Sequence, residues 1–223
     1  MTKELFFQAM LKFFLGVVLV GLLIFVPAGT AAFWNGWLLM VILFVPMFFA
    51  GIVMMVKNPE LLKKRLKAKE TRSEQGLVIK CSGLMFLAGF VVAGLNYRFR
   101  WHLLPSAVSL AAAIVFLLAY LLYAEVLREN TYLSRTIEVQ ENQKVIDTGL
   151  YGIVRHPMYS VTVLLFWSMP LMLGSLYSFV IFLAYLPIIA QRIRNEEQLL
   201  AEELKGYREY REKVKYKLIP FVW

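Results

Sequence analysis

Long apolar runs, separated by short polar connections, dominate the hydrophobic pattern of this 223-residue chain. Almost no charged residue interrupts the segments 13–27, 37–56, 77–95, 103–123 and 159–191. A bilayer core about 30 Å thick needs roughly 20 apolar residues per helix. Backbone groups in lipid must also be hydrogen-bonded within their own segment. The pattern therefore predicts an all-α, polytopic integral membrane protein.

The last apolar run, 159–191, is too long for a single crossing. One helix over this run would extend about 50 Å at 1.5 Å per residue. Pro170, Gly174 and Ser175 in its middle are typical of a helix break and a turn. We therefore predict two short helices paired as a hairpin, which makes about six crossings in total. The hairpin brings residues 155–159 to the same membrane face as the charged segment 191–197.

The polar C-terminal part predicts a cytoplasmic helix after the hairpin. Apolar residues at mixed three- and four-residue spacing indicate one amphipathic helix that continues to Val214, with Glu209 and Lys213 spaced to pair on it. The stretch 130–148 predicts a connector, as an interfacial helix followed by an extended, strand-like piece. We divide the chain into four N-terminal transmembrane helices, 1–125, and a cofactor-binding catalytic region, 126–223.

The N-terminal segment has two interpretations. Lys3 and Lys12, an apolar stretch and then PAGTAA resemble a secretory signal peptide. Counted from Phe6, however, the apolar run reaches about 20 residues, which is long for the apolar part of a signal. Further spans follow at once, so we predict a retained first span.

The net charge of +9 is explained by membrane sidedness, so we predict no nucleic-acid partner. Segment 57–72 holds seven Lys and Arg residues, whereas the loop 28–36 holds none. The positive-inside rule places that basic segment in the cytoplasm, together with both termini and 124–158. In a prokaryote the membrane would be the cytoplasmic membrane. Basic residues at this surface favour anionic lipids as partners.

Cysteine and histidine usage predicts no metal site. The single cysteine, Cys81, excludes an internal disulfide and a cysteine metal cluster. The two histidines, His102 and His156, are far apart in sequence, and no HExxH pair is present.

The stretch GLYGIVRHPMYS, 149–160, has two interpretations. Arg155 and Tyr159 suit headgroup depth, and Pro157 suits the first turn of a helix, so the stretch can be an ordinary membrane boundary. That interpretation does not explain an ionisable histidine beside the arginine, or the glycines, which permit tight turns and close approach of a ligand. A functional site is the alternative.

The segment RIRNEE, 192–197, is either a solvated helix end or the opposite wall of that site. The predicted hairpin places Glu196 and Glu197 across from Arg155 and His156. Facing cationic and anionic groups at the membrane edge are suited to a zwitterionic ligand.

These residues carry a family resemblance. Thr148, Gly149, Tyr151 and the RHPMY block precede a hydrophobic hairpin, then Arg192, Glu196 and Glu197, and finally Leu218-Ile219-Pro220-Phe221. This order resembles the isoprenylcysteine carboxyl methyltransferase family and, more loosely, membrane phospholipid N-methyltransferases. The resemblance covers roughly 140–223. The spacing of Tyr207 and Tyr210 after Gly206 departs from the expected pattern.

The resemblance implies S-adenosylmethionine as methyl donor, bound in a pocket that faces the cytoplasm. It assigns the lining of this cofactor to the backbone from Val145 to Tyr151, with Thr148, Gly149 and Leu150 between them, and to His156. It implies that Tyr159 and Glu196 or Glu197 contact the ribose or amino end of the cofactor. Arg155 and Arg192 would bind carboxylates, so the implied catalytic residues are Arg155, Arg192 and Glu196.

The implied activity is carboxyl O-methylation of an isoprenylcysteine-like or other lipophilic carboxylate that enters from the bilayer. Three alternatives stay open. One is a phospholipid or amine N-methyltransferase, in which Glu196 or Glu197 would accept a proton. Another is a membrane reductase that uses a nicotinamide cofactor, and the third is a non-enzymatic scaffold. The sequence assigns neither the natural acceptor nor an oligomeric state.

Overall fold

The fold is all-helical in a computed structural model that describes residues 3–66, 74–134 and 138–223. A 3₁₀ turn, Gly149–Gly152, precedes α6, and no paired strand occurs within these ranges. The all-α prediction is confirmed. The helices are α1 (Lys3–Ala28), α2 (Trp34–Lys57), α3 (Pro59–Leu66), α4 (Glu74–Phe99), α5 (Ser106–Glu129), α6 (Pro157–Met172), α7 (Leu176–Phe182), α8 (Tyr185–Glu203) and α9 (Tyr207–Lys213).

Within the described ranges 3–66, 74–134 and 138–223, five helical segments are long and apolar enough to cross a membrane. Four of them are α1, α2, α4 and α5. The fifth is the segment Leu176–Glu203, which consists of α7 and α8 together with the short break between them. Helix α6 is also apolar but has only 16 residues. The chain is therefore an integral membrane protein by its helices, and the count of six crossings stays a prediction that depends on α6.

The predicted hairpin is confirmed, with its turn at Gly174. Gly174 has a φ of +69°, a conformation in which glycine carries no steric penalty. The Ser175 hydroxyl accepts a hydrogen bond from the Ser178 N–H and caps the start of α7. The helix breaks again between Phe182 and Tyr185, because Pro187 has no N–H to donate to the carbonyl of residue 183.

A buried polar cluster joins α2, α5 and the hairpin turn. The Asn35 amide donates to the Ser109 hydroxyl at 2.9 Å and to the Met172 carbonyl at 2.8 Å. Ser109 in turn donates to the Leu171 carbonyl at 3.2 Å. The freed carbonyls at the end of α6 are thus satisfied inside the protein, as they must be at this depth.

We expect Asn35→Leu to destabilise the protein by about 1–2 kcal/mol, because it leaves the Met172 carbonyl and the Ser109 hydroxyl without their amide donor. Thermal unfolding in detergent measures the loss. Gln8→Leu is the control, since Gln8 is exposed on α1 and its replacement should change little. Equal melting temperatures for the two variants would contradict the role of Asn35.

The prediction of one continuous C-terminal helix is wrong. Helix α8 ends at Glu203, and α9 begins only at Tyr207. Gly206 has a φ of +87°, and left-handed glycine is a common way to end a helix. Lys213 bonds Asp147 at 2.7 Å rather than Glu209, so α9 is fixed to the connector before α6.

The predicted interfacial helix of the connector is wrong for the residues that the structure describes, whereas the extended piece stays a prediction. Residues 130–134 and 138–148 form two turns, at 131–132 and 141–142, and are otherwise irregular. The Tyr132 hydroxyl donates to the Asn142 carbonyl, and Gln140 donates to the Tyr132 carbonyl. These polar side chains bond nearby backbone and so compete with regular structure.

Candidate active site

The turn that opens the site is held by Glu129, the last residue of α5. Its carboxylate accepts hydrogen bonds from the Thr148 hydroxyl at 2.8 Å and from the Leu150 N–H at 3.3 Å. Gly149 lies between them with a φ of +49°, and a Cβ there would overlap the same carboxylate. The glycine is therefore required by both the backbone conformation and the close approach of Glu129.

Arg155 and Glu197 form a buried ion pair beneath the site. Arg155 Nε lies 2.6 Å from Glu197 Oε1, and both side chains are 6% exposed. A further Arg155 nitrogen donates to the carbonyls of Val214 and Lys215. Glu197 also contacts His156 Nε2 at 3.3 Å and Lys217 Nζ at 3.2 Å. The carboxylate that Arg155 binds in this structure thus belongs to the chain itself.

The C-terminal segment runs alongside this pair. The N–H groups of Arg155 and His156 donate to the carbonyls of Tyr216 and Lys217, each at 2.9 Å. The Ser160 hydroxyl donates to the Leu218 carbonyl. Residues 214–218 therefore form the base on which the start of α6 is positioned.

Above the pair, Tyr159 connects the two arms of the hairpin. Its hydroxyl donates to Glu196 and accepts from Arg192 Nε at 2.9 Å. The Tyr159 ring stacks on that of His156 at 5.7 Å. The Glu196 carboxylate lies 3.9 Å from His156 Nδ1 and is 23% exposed, so it is accessible where Glu197 is not.

A pocket opens over this cluster, between the connector, the start of α6, α8 and α9. Its wall combines charged, hydroxyl and apolar side chains: Asn130, Tyr132, Leu133, Ser134, Glu138, Gln143, Lys144, Val145, Ile146, Tyr151, Arg155, His156, Met158, Tyr159, Arg192, Glu196, Leu200, Leu204, Tyr207 and Tyr210. The hairpin thus brings the two segments singled out in the sequence to one cavity.

Most of the predicted site residues lie on this wall, and four do not. Those on the wall are Val145, Tyr151, Arg155, His156, Tyr159, Arg192 and Glu196. Thr148, Gly149 and Leu150 lie behind it, against Glu129, and Glu197 is buried beneath it. These four residues support the wall rather than form it. Their roles toward a cofactor stay predictions.

The sequence did not single out Glu129, and it left Tyr207 and Tyr210 without a role. The Tyr210 hydroxyl donates to the Tyr151 carbonyl at 2.7 Å and so fixes the 3₁₀ turn. The sequence gives little reason to place Glu129 in a site, because a glutamate at a helix end is usually solvated. Gly149, which Glu129 contacts, indicates a tight turn more strongly.

Two tyrosine hydroxyls on the wall suit a bound polar molecule. Across residues 3–66, 74–134 and 138–223, the hydroxyls of Tyr151 and Tyr207 are buried side-chain atoms with no hydrogen-bond partner of good geometry, although the Asn130 side chain approaches that of Tyr151. Burial raises the pKa of both side chains; the Asn130 side chain opposes this only in part at Tyr151, and Glu197 and Glu196 add to it at Tyr207. Both therefore stay protonated donors at neutral pH.

These groups fit S-adenosylmethionine, which carries an ammonium group, a carboxylate and ribose hydroxyls. Tyr151 and Tyr207 can donate to its oxygens, and the accessible Glu196 carboxylate can accept from its ammonium or hydroxyl groups. Arg192 supplies a guanidinium for its carboxylate. A buried hydroxyl without a partner costs about 1–3 kcal/mol, so a ligand that satisfies both would recover part of that cost.

Together the helices and the pocket define an integral membrane protein with a partly polar pocket at the open end of a helical hairpin. Residues 106–206 match the model of a family described as phospholipid methyltransferase. The match covers a little under half of the chain and confirms the resemblance to membrane methyltransferases there. It begins at α5, earlier than the resemblance read from the motifs, and it ends at Gly206.

A second comparison relates part of the chain to a mouse protein, the Delta(14)-sterol reductase TM7SF2 of Mus musculus. The two are 31% identical over 91 residues, which is 40% of this chain. The aligned part is 22% of the relative, so the chain matches about a fifth of that protein's length.

Proposed function

We propose that the protein is an integral membrane methyltransferase that uses S-adenosylmethionine to methylate the carboxylate of a lipophilic acceptor, of the isoprenylcysteine kind. One observation carries this proposal. The pocket that joins His156, Tyr159, Arg192 and Glu196 is built largely by the same residues that match the phospholipid methyltransferase family.

When bound, S-adenosylmethionine supplies an electrophilic methyl group. Tyr151, Tyr207 and Glu196 would hold it in the pocket, with Arg192 toward its carboxylate. Glu197 lies beneath the pocket and would not touch the cofactor; it contacts Arg155 and His156 and so holds both in place. This geometry favours Glu196 over Glu197 as the residue that touches the cofactor.

A carboxylate acceptor needs no general base from the site. Its reference pKa is near 4, so it is already an ionised nucleophile at neutral pH. The protein then has to align the reactants and exclude bulk water. The Tyr159 hydroxyl serves alignment, since it fixes Glu196 and Arg192 relative to each other.

The location of the pocket suits a substrate of mixed polarity. The connector brings mainly polar side chains to the wall, such as Glu138, Gln143 and Lys144, whereas Met158 of α6 and Leu200 of α8 bring apolar ones. We propose that the lipidic acceptor enters from the bilayer and the cofactor from the cytoplasm, with both termini on the cytoplasmic side.

The test is a calorimetric titration of the purified protein, in detergent, with S-adenosylhomocysteine. Saturable binding is expected, and Tyr159→Phe should weaken it about tenfold or more, because the hydroxyl bonds two charged groups. Tyr185→Phe is the matched control, since that hydroxyl bonds Thr162 and does not line the pocket. Absence of binding by the wild type would refute the proposed function. If Tyr159→Phe binds as tightly as the wild type, the ligand does not bind in the pocket at Tyr159.

The sterol reductase relative favours a second candidate, reduction of a lipid double bond with a nicotinamide cofactor. The same titration with NADPH separates the two. Saturable binding of NADPH without binding of S-adenosylhomocysteine would support the reductase. Radiolabelled methyl transfer to prenylcysteine and to aminophospholipid acceptors separates O-methylation from N-methylation.

A further inference from the structure

A groove of about 440 Å³ runs along an exposed face of α1 and ends at the loop before α2. Its wall combines apolar residues at helical spacing with two loop residues: Val18, Gly21, Leu22, Phe25, Val26, Thr30 and Ala31. From Val18 to Val26 the groove extends about 12 Å at 1.5 Å per residue. One leaflet contributes a similar depth, roughly 15 Å, to the hydrocarbon layer. The groove therefore has the length and polarity of a site for one acyl chain of a lipid.

The loop at the end of the groove is held in place by α2. The Trp37 indole donates to the Ala31 carbonyl at 2.7 Å, and the Trp37 ring packs against that of Phe25 with centroids 4.8 Å apart. The Thr30 hydroxyl accepts from the Ala32 N–H at 3.0 Å. A hydroxyl that accepts in this way can still donate its own hydrogen. The apolar groove thus ends at a polar group that can bond an anion.

Arg98 lies at the same end of the groove because α1 and α4 approach each other closely. A Cβ on Gly94 would lie 3.0 Å from the Ala28 nitrogen, so only a glycine permits this contact. Arg98 follows one helical turn later on α4. A Cβ on Gly29 would lie 3.4 Å from Arg98 Nε, so the guanidinium packs against Gly29. Since Gly29 directly precedes Thr30, the cation is positioned beside the polar end of the groove.

The connections at this end of the helices carry cationic side chains and no anionic ones. Segments 28–36, 97–105 and 173–184 contain no Asp or Glu. Arg98 is exposed, and its guanidinium lies over the Phe99 ring, 5.6 Å from the centroid. That contact uses the face of the guanidinium plane, whereas a phosphate binds along its N–H edge. A lipid phosphate therefore complements this end of the groove in charge.

We propose that an anionic phospholipid binds here, with one acyl chain in the groove of α1 and its phosphate at Arg98 and the Thr30 hydroxyl. The site lies at the opposite end of the helices from the candidate active site, because the start of α2 contacts the hairpin turn through Asn35 and Met172. It does not depend on the proposed methyltransferase activity. The bound lipid holds the end of α1 and the end of α4 together.

The experiment uses phosphatidylglycerol with a photoactivatable diazirine in its acyl chain, added in small amount to the purified protein in detergent. Mass spectrometry of the digested protein measures the label on residues 18–31. Unlabelled phosphatidylglycerol should displace this probe better than phosphatidylcholine with the same chains. Glycerophosphoglycerol, which is the headgroup without chains, should not displace it. Arg98→Gln should lower the labelling about tenfold, because a charged partner of the phosphate is lost.

Two matched controls separate this site from general attraction to lipid. Arg100→Gln removes an exposed cation just beyond the end of α4 and should change the labelling at most about twofold. Gly21→Leu fills the groove, since a Cβ there meets only Met40 Cε at 3.7 Å, and it should lower the labelling as Arg98→Gln does. Gly16→Leu adds the same side chain to α1 where a Cβ meets Phe44 at 3.8 Å, outside the groove wall, and should label normally.

The proposal is overturned if residues 18–31 of the wild type are not labelled, if Arg98→Gln is labelled normally, if either control matches its partner variant, or if phosphatidylcholine displaces the probe equally well. A dimer that blocks the labelling and that Gly21→Leu dissociates would also overturn it and would assign the groove to a second copy of the chain. Thermal unfolding gives an independent measurement. Without lipid, Arg98→Gln should melt with the wild type, and phosphatidylglycerol should raise the melting temperature of the wild type alone. An equal rise in both would contradict the role of Arg98.

Discussion

Replacing Arg155 with methionine is expected to lower the free energy of unfolding by about 3–5 kcal/mol, the usual effect of removing one partner of a buried ion pair. Methionine fills much of the same volume. After the replacement the Glu197 carboxylate keeps His156 and Lys217 as partners but loses the guanidinium. The carbonyls of Val214 and Lys215 lose their donor as well. The base of the pocket should loosen together with the fold.

Chemical unfolding in detergent, run as a double-mutant cycle with Glu197→Met, measures this coupling. The double variant should lose less than the sum of the single losses, by about 1–3 kcal/mol. Arg128→Met is the control: Arg128 pairs with Glu125 at 2.6 Å, but its side chain is 75% exposed, so its replacement should change the free energy of unfolding little. Equal losses for Arg155→Met and Arg128→Met would show that burial of the pair does not matter.

Gly149→Val should have the second-largest effect, a loss of roughly 2–4 kcal/mol together with at least tenfold weaker binding of S-adenosylhomocysteine. A branched side chain is strained at a φ of +49°, and its Cβ would overlap the Glu129 carboxylate. The turn then loses its bonds from Thr148 and Leu150 to Glu129 and displaces Tyr151 from the wall.

Gly83→Val controls for the added side chain, because a Cβ on Gly83 meets nothing within 4 Å. It should bind S-adenosylhomocysteine normally. Gly149→Ala combined with Glu129→Ala removes the overlap but keeps the backbone strain, so it should recover part of the binding lost in Gly149→Ala alone. Normal binding by Gly149→Val would mean that the turn does not position the site.

Local sequence signals were sufficient for the hairpin. Pro170 and Gly174 disfavour the continuation of a helix, and Ser175 suits a helix cap; α6 ends at Met172 and the turn forms at Gly174. Once the chain doubles back, the proximity of Arg155 and His156 to Glu196 and Glu197 follows from geometry alone.

The break between α8 and α9 was missed because two signals disagreed. The apolar spacing that includes Leu200, Leu204 and Tyr207 continues through the break and favours one helix. Gly206 favours an end. Tertiary packing decided between them, since Leu204, Tyr207 and Tyr210 form a small buried cluster with the connector residues Val139 and Val145.

The base of the site could not be read from the sequence for a different reason. Arg155 and His156 are positioned by main-chain carbonyls of residues 214–217, and every residue type has a carbonyl. The different positions of Glu196 and Glu197 could not be read from the sequence either. The two carboxylates are adjacent and chemically equal, and only the fold buries one and leaves the other accessible.

The shortness of α6 has a consequence for the membrane around the protein. Sixteen residues rise about 24 Å, several ångströms less than the roughly 30 Å of a typical hydrocarbon layer. In the predicted arrangement of six crossings, lipids beside this helix must compress, or its polar end must lie below the level of their headgroups. Either adjustment shortens the distance between the hydrocarbon layer and His156. A lipophilic acceptor can then reach His156 with its polar end while its tail stays in the bilayer. Bilayer thickness should therefore tune turnover of such acceptors.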